Sequence, residues 1–398
     1  MEAEQILKRF AERDVLLTPG ALELLQNSED AEGAIERILA SELFVVDEEA
    51  VKKFSKKEEE KKIPLPVEVH RSSDFKPLAR EHSADIRFDP KGDVTRKSKC
   101  TGTVEDFVGY FRDRHKRLGA MLRARQSAGG VVPLKSLKGY AKGTEVRIVG
   151  MVSSKRITKK GHLLLELEDE EKTAKVLALK SEREPERTTF ENAGKLLLDE
   201  VIAVDGRVSD PFVIARELMW PDVPIRAQSV IKEDLCVALM SDLHVGSRFF
   251  LEENFQRMLN WLNGGGEDAE QRALAGRVKY VLMAGDIVDG IGIYPHQEKE
   301  LVVRDIYEQY HMFARFIEDI PDYVEVVVSP GNHDAVRRAE PQPALPDELL
   351  GDLKGRGNVH LVGNPSMLEI EGLKTLVYHG TSLDSIIASL PGLSYQYP

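Results

Sequence analysis

The spacing of apolar residues changes along the chain, and each change predicts a different kind of element. Ile6, Leu7 and Phe10 recur at helical spacing. Thr18-Pro19-Gly20 reads as a helix start before Leu22, Leu24 and Leu25, and Ile35, Ile38 and Leu39 mark a further helix. Residues 1–50 are therefore expected to form a small helical unit that docks on something, since so short a piece buries little surface by itself. The periodicity then lapses. Lys52-Lys53 and the run from Ser55 to Lys62 form a charge block, followed by Pro64, Pro66, Pro77 and Pro90. Residues 51–100 read as a flexible charged linker, either a solvated tether or a lysine-rich contact to DNA phosphates.

Helical spacing returns between Val104 and Arg125, with Phe107, Tyr110, Phe111, His115, Leu118 and Leu122 on one stripe. His115 belongs to a packed or boundary face and not to a ligand set. Gly129-Gly130 and Pro133 end the pattern. Five short strands follow: 146–152, 162–168, 174–179, 200–208 and 212–215, with a helix near Phe190 to Leu198. Five strands with a helix after the third predict a Greek-key barrel of the OB type, completing a helix-plus-OB domain over 101–228. Lys155, Arg156, Lys159 and Lys160 cluster on the first hairpin, but aromatics are scarce. The barrel is either a packing module or a single-strand binder. From 229 to 398 strand-like runs alternate with helices such as Phe255–Leu262 and Val302–Ile317, which predicts a layered α/β domain.

Composition narrows the class. The 398 residues allow two or three domains, and the net charge of −12 argues against a free-standing basic DNA-binding module. Bound metals or a partner can still supply positive charge toward nucleic acid. Cys100 and Cys236 lack knuckle spacing and read as free thiols in a reducing compartment. Met1 to Val15 has no signal-peptide core, and no apolar run reaches membrane-span length, so a cytoplasmic protein is expected.

The candidate chemistry lies in four motifs: Asp242-Leu243-His244, Gly285-Asp286-Ile287-Val288-Asp289, Gly331-Asn332-His333-Asp334 and His379-Gly380. Each follows an apolar, strand-like run. Side chains at the carboxyl ends of parallel strands converge on one edge of a sheet. Carboxylates, imidazoles and an amide gathered there can hold a pair of divalent metals, which suits hydrolysis of a phosphate ester.

In this order the four motifs resemble those of calcineurin-like metallophosphoesterases. The strings Met240 to Ser247, Gly331 to Pro343 and Tyr378-His379-Gly380 resemble the small-subunit family of archaeal family D DNA polymerases. The resemblance implies a multidomain α+β fold: a helical N-terminal unit, an OB-type barrel, and a β-sandwich flanked by helices over 229–398. It implies a 3′→5′ proofreading exonuclease partnered by a large polymerising subunit. Carried over by residue, Asp242 and His244 would bind one metal, Asn332 and His379 the other, and Asp286 both. His333 would be the general acid or would stabilise charge on the leaving 3′ oxygen, and Asp334 would orient it by a hydrogen bond. Manganese is the metal the family favours, with iron and zinc compatible with the donors. DNA at a primer 3′ end, a single strand and the sliding clamp are the further partners implied, in a nucleoid-associated setting.

Asp289 either supports a ligand or satisfies its loop. His296, Arg337 and Arg338 are candidates for substrate contact, with surface salt bridging the alternative for the two arginines. The family's late Gly-His-x-His motif has no match here, and His379 is the last histidine. The sequence is thus expected to be a truncated version of a longer subunit, with weaker metal binding. Two other functions fit the same features: an inactive assembly scaffold, and a stand-alone repair nuclease. Retained ligand residues argue against the first, and a barrel preceding the phosphoesterase region argues against the second.

Overall fold

The computed structural model describes residues 3–11, 13, 15–28, 31–39, 45–55, 75–97, 101–124, 130–223, 229–266, 268–353 and 355–396. The chain divides into two units, Met1–Glu68 and Val69–Pro398.

The first unit contains α1 (Ala3–Ala11), β1 (Leu16–Leu17), α2 (Pro19–Gln26), α3 (Ala31–Leu39), β2 (Val45–Val46) and α4 (Glu48–Ser55). Thr18 begins α2 as expected: its hydroxyl accepts from the Ala21 N–H at 3.3 Å, with Pro19 in the first turn. Ile6, Phe10, Leu25, Ile35, Ile38 and Val51 make the core. Parallel pairing of Leu16 with Val45 ties the start of the unit to its end.

The second unit opens with α5 (Leu78–Glu81), β3 (Ile86–Phe88) and α6 (Val104–Ala124). Next come β4 (Glu145–Ile157), β5 (Leu163–Glu168), β6 (Thr173–Ala178), α7 (Glu186–Lys195), β7 (Val201–Ser209) and β8 (Phe212–Met219). The five strands close into a barrel in the order β4-β5-β6-β8-β7. Closure depends on β4, whose register shifts between Val152 and Ser154. That irregularity bends the strand, so its first half pairs with β7 and its second half with β5. Alternation sends Ile148, Val152, Leu165, Leu167, Val176, Ile202 and Val204 inward. Lys155 is part of this framework: its ammonium donates to the carbonyls of Gly194 (3.0 Å) and Leu196 (2.6 Å) at the end of α7. It thereby satisfies acceptors that a helix end leaves open, and the basic hairpin loses one of its four free cations.

The remaining elements are β9 (Cys236–Met240), α8 (Glu252–Leu262), α9 (Ala269–Ala275), β10 (Val278–Ala284), α10 (Ile306–Glu318), β11 (Glu325–Ser329), β12 (Val359–Leu361), β13 (Ser366–Ile370), β14 (Leu373–Val377) and α11 (Ser382–Ser389). Strands β12-β11-β10-β9 form a parallel sheet, and β14-β13-β3 form an antiparallel one. Phe255, Leu259, Tyr310, Phe313, Phe316 and Ile317 from α8 and α10 cover one face of the parallel sheet. Leu368, Ile370 and Val377 of the second sheet pack over Tyr280, Leu282 and Val327 on the other. β10 is buried on both faces, which accounts for its near-continuous apolar sequence.

Part of the expected linker belongs to this sandwich. Ile86–Phe88 pairs with Leu368–Ile370, and the Ala344 N–H donates to the Thr95 hydroxyl at 2.9 Å. Residues 56–74 and 98–100 of that expected linker lie outside the described residues. A clip centred on Glu371 fixes the attached segment. Its carboxylate accepts from the Tyr280 hydroxyl, from His82 Nε2 at 2.9 Å and from the Asp85 N–H at 3.3 Å. The segment escaped sequence reading because β3 joins through backbone bonds and supplies only three residues. Glu371→Ala is expected to lower unfolding free energy by about 2 kcal/mol in a urea titration, the scale of a lost hydrogen bond to a charged group. A change near zero would show that the strand pairing alone holds residues 75–97. Among the described residues no helix is long and apolar enough to cross a membrane.

Candidate metal centre

Register brings the four motifs together. Met283 of β10 lies opposite Met240 of β9, and Ala284 opposite Ser329 of β11. The three parallel strands end level, and the loops leaving them meet at one sheet edge. The loops stay paired beyond the strands: the Asp242 N–H donates to Gly285 O (3.0 Å), His244 N–H to Asp286 O (3.0 Å) and Val245 N–H to Ile287 O (3.1 Å). Three acidic or imidazole residues adopt left-handed backbone there: Asp242 (φ 54°), His244 (51°) and Asp286 (51°). Non-glycine residues hold such conformations where surrounding structure over-determines them, commonly at functional sites. Gly331 is required by close approach, since a Cβ there would lie 2.1 Å from Asp286 Oδ1.

Two donor clusters result. His244, Asp286 and His333 offer ligand atoms within 4.8 Å of one another, and so do Asp242, Asp286 and His379. Asp286 is common to both. The grouping differs from the one carried over by resemblance, which put Asp242 with His244 and set His333 apart. His379 Nε2 stands 3.4 Å from Asp286 Oδ1 and 3.1 Å from Asn332 Oδ1. Burial favours a neutral His379, but its bond to Asp286 outweighs that and raises the imidazole to about 9. Burial likewise pushes Asp286 up, and the bonds from His379 and the His333 N–H more than offset it, leaving the carboxyl below its usual range.

All three imidazoles are turned the same way. His244 Nδ1 lies 3.0 Å from Asp289 Oδ1, His333 Nδ1 2.8 Å from Asp289 O, and His379 Nδ1 2.8 Å from Ala284 O. Each Nδ1 therefore carries its proton to an oxygen, and each Nε2 faces the cluster. The buried Asp286 sits at the bottom, while the Asp242 side chain, 54% exposed, forms the open lip. Mixed carboxylate, amide and imidazole donors around a shared carboxylate fit a pair of hard or borderline divalent ions.

Asp289 thus orients two histidines, and Gln297 holds its second oxygen at 3.0 Å. Asp334 does not touch the His333 ring, contrary to the sequence expectation. It is drawn beneath the loops, accepting from the N–H groups of Gly331 (2.8 Å), Ile287 (3.2 Å) and Val288 (3.4 Å) and from the Tyr310 hydroxyl (3.0 Å). A carboxylate adjacent to a histidine in sequence meets bare loop amides first, and these claim its lone pairs. Burial lifts Asp334 to about 6. The Arg337 guanidinium folds onto Pro341 O at 3.0 Å, and Arg338 onto Ile293 O at 2.9 Å. His296 is exposed, and Tyr294 rather than His296 flanks His333, with ring centres 6.0 Å apart. Sequence reading missed Asn364 and Gln342. Asn364 accepts the His379 N–H at 3.0 Å and donates to Gln342, which in turn donates to Gly331 O at 3.0 Å. Asn364 lies in no such motif, and Gln342, though within the Gly331–Pro343 string, was given no role there.

Comparison with known proteins identifies the family. A model of the calcineurin-like phosphoesterase family matches residues 236–393. The DNA polymerase II small subunit of Methanothermobacter thermautotrophicus is 38% identical over 399 residues, covering 98% of this chain and 79% of the relative. The chain belongs to the archaeal DNA polymerase II small-subunit family. The Archaeoglobus fulgidus small subunit is 35% identical, with 100% of this chain and 78% of the relative covered. That of Methanocaldococcus jannaschii is 39% identical, with 82% and 54% covered. In this family member the matched region carries the parallel sheet and both donor clusters, and the closed barrel precedes it.

Proposed function

We propose that the chain is the 3′→5′ exonuclease subunit of a two-subunit DNA polymerase, binding two divalent cations, manganese by preference. The observation that carries this reading is Asp286, a buried carboxylate shared by two donor clusters. His244 and Asp286 would hold one ion, and Asp286, Asp242 and His379, with Asn332 beside them, the other; His333, next to the first, is kept for the proton. Bound cations would polarise the phosphodiester and supply the attacking hydroxide near neutral pH. The rest falls to the chain. Asp289 fixes the His244 tautomer, and the Asp289 carbonyl fixes that of His333. When protonated, His333 presents Nε2–H toward the cluster and can pass that proton to the departing 3′ oxygen. Cleavage would then release a 5′-mononucleotide. Asn364 and Gln342 hold the backbone of the His379 and Gly331 loops in place. A large polymerising subunit, primer DNA and the sliding clamp are the partners of this reading.

The test is release of mononucleotides from a 3′-mismatched primer, with and without manganese, in the presence of the large subunit. Metal-dependent release that disappears in Asp286→Asn supports the nuclease. Bound metal without release moves the assignment to an assembly scaffold. His333→Ala separates roles within the site. It is expected to slow cleavage by about 10²–10⁴-fold, the range for a lost general acid, with metal content unchanged. Loss of metal in that variant would make His333 a ligand in place of an acid.

A further inference from the structure

α6 grips the barrel along its C-terminal half only. Leu118 and Leu122 pack with Val149, Val201 and Ala203. The first two turns expose Val104 (73%), Phe107 (57%), Val108 (40%) and Tyr110 (59%). Apolar side chains clustered on one exposed helix end mark a surface that gains from being covered. Between these turns and the barrel runs a groove of about 370 Å³, with Phe107, Phe111 and Met151 among its apolar lining. Glu168, Asp169, Glu170 and Asp199 form its rim, against a single lining cation, Arg112. Glu168, Glu170 and Asp199 make no ion pair with another described residue. His115 also lines the groove; it is buried, and its Nε2 has no hydrogen-bond partner among the described residues.

We propose that this groove docks a segment of a partner protein that places an apolar or aromatic anchor among Phe107, Phe111 and Met151 and carries lysine or arginine beside it. The acidic rim selects the basic flank and repels nucleic-acid phosphates. The assignment is independent of the metal centre, which the groove residues do not touch.

The test is to pan a random library of peptides about 16 residues long on the full chain, with counter-selection on Phe107→Asp. Phe107 is largely exposed, so this variant is expected to keep the wild-type circular dichroism and melting temperature. Enriched peptides should carry net positive charge around one or two of Phe, Leu, Met or Trp. Their affinity, by fluorescence anisotropy, should fall at least about tenfold in Phe107→Asp and in the double variant Glu168→Lys/Glu170→Lys, the scale of an interface hot spot. It should also weaken with added salt. Enrichment of acidic or uncharged peptides, or the absence of any Phe107-dependent binder, overturns the proposal. Phe107-dependent capture of a single-stranded oligonucleotide would instead assign the face to nucleic acid.

Discussion

Asp286→Ala is expected to empty the centre of metal and to lower primer cleavage by about 10³-fold or more. A metal pair contributes several kcal/mol of charge stabilisation, and each 1.36 kcal/mol is a factor of about ten in rate. The size follows from the residue's position, since among the described residues it alone belongs to both donor clusters. Removing any other ligand leaves one cluster with its three groups, and removing Asp286 leaves neither. The alanine variant also disturbs the fold. It strips the acceptor from the His333 N–H, 2.9 Å away, and leaves His379 beside a cavity with only the exposed Asp242 as counter-charge. Asp286→Asn separates these effects, because its carbonyl oxygen can still accept the His333 N–H. The asparagine variant should unfold at nearly the wild-type temperature yet bind no metal, as measured by elemental analysis after gel filtration. If it retains both metal and cleavage, the two clusters are not the catalytic centre.

Much of this site could be read from the chain because chemistry and fold share one signal there. A buried parallel strand has a continuous apolar sequence, as in Val278–Ala284, and the residues just past its end must face the sheet edge. Asp242, His244, Asp286, Asn332, His333 and His379 were therefore found together. What they do to one another was less legible. Asp334 follows His333 directly in sequence and was expected to orient it, whereas Asp289, 45 positions from His244, was read as either a ligand's support or a loop residue. Direction decides between them, since both are buried alike. Asp289 reaches the His244 ring, whereas Asp334 turns inward to amides that no solvent reaches. The left-handed backbone at Asp242, His244 and Asp286 left no trace either, since no glycine marks those positions. Composition also concealed β3. Its three residues sit in a stretch rich in charge and proline, and nothing local records the strand 280 positions later with which it pairs. The barrel was legible for the opposite reason: its strands follow one another closely, and their alternation is local.

The largest effect on stability is expected at Asp334. Its carboxylate is fully enclosed and accepts from three loop N–H groups and the Tyr310 hydroxyl. Tyr310 in turn accepts the Ala335 N–H at 2.9 Å, so one side chain organises both loops that carry Asp286 and His333. Asp334→Ala leaves three amides without partners in a dry interior. At about 1–3 kcal/mol for each stranded group, part of it recovered by relaxation, the unfolding free energy should fall by about 3–5 kcal/mol. The pH dependence gives this prediction a sign. Burial raises Asp334 from 3.8 to about 6, so the folded chain holds this proton more tightly than the unfolded one. Stability from this group is therefore fullest below about 3.8, declines as pH rises through about 6, and is constant above. The gap between wild type and Asp334→Ala in urea unfolding should accordingly be wider at pH 4 than at pH 8. A gap that widens toward pH 8 would mean that the amide bonds outweigh burial and that Asp334 is held as a stabilised anion. An Asp334→Ala chain of wild-type stability would mean that the loops are held by their own backbone pairing, with Asp334 a passenger beneath them.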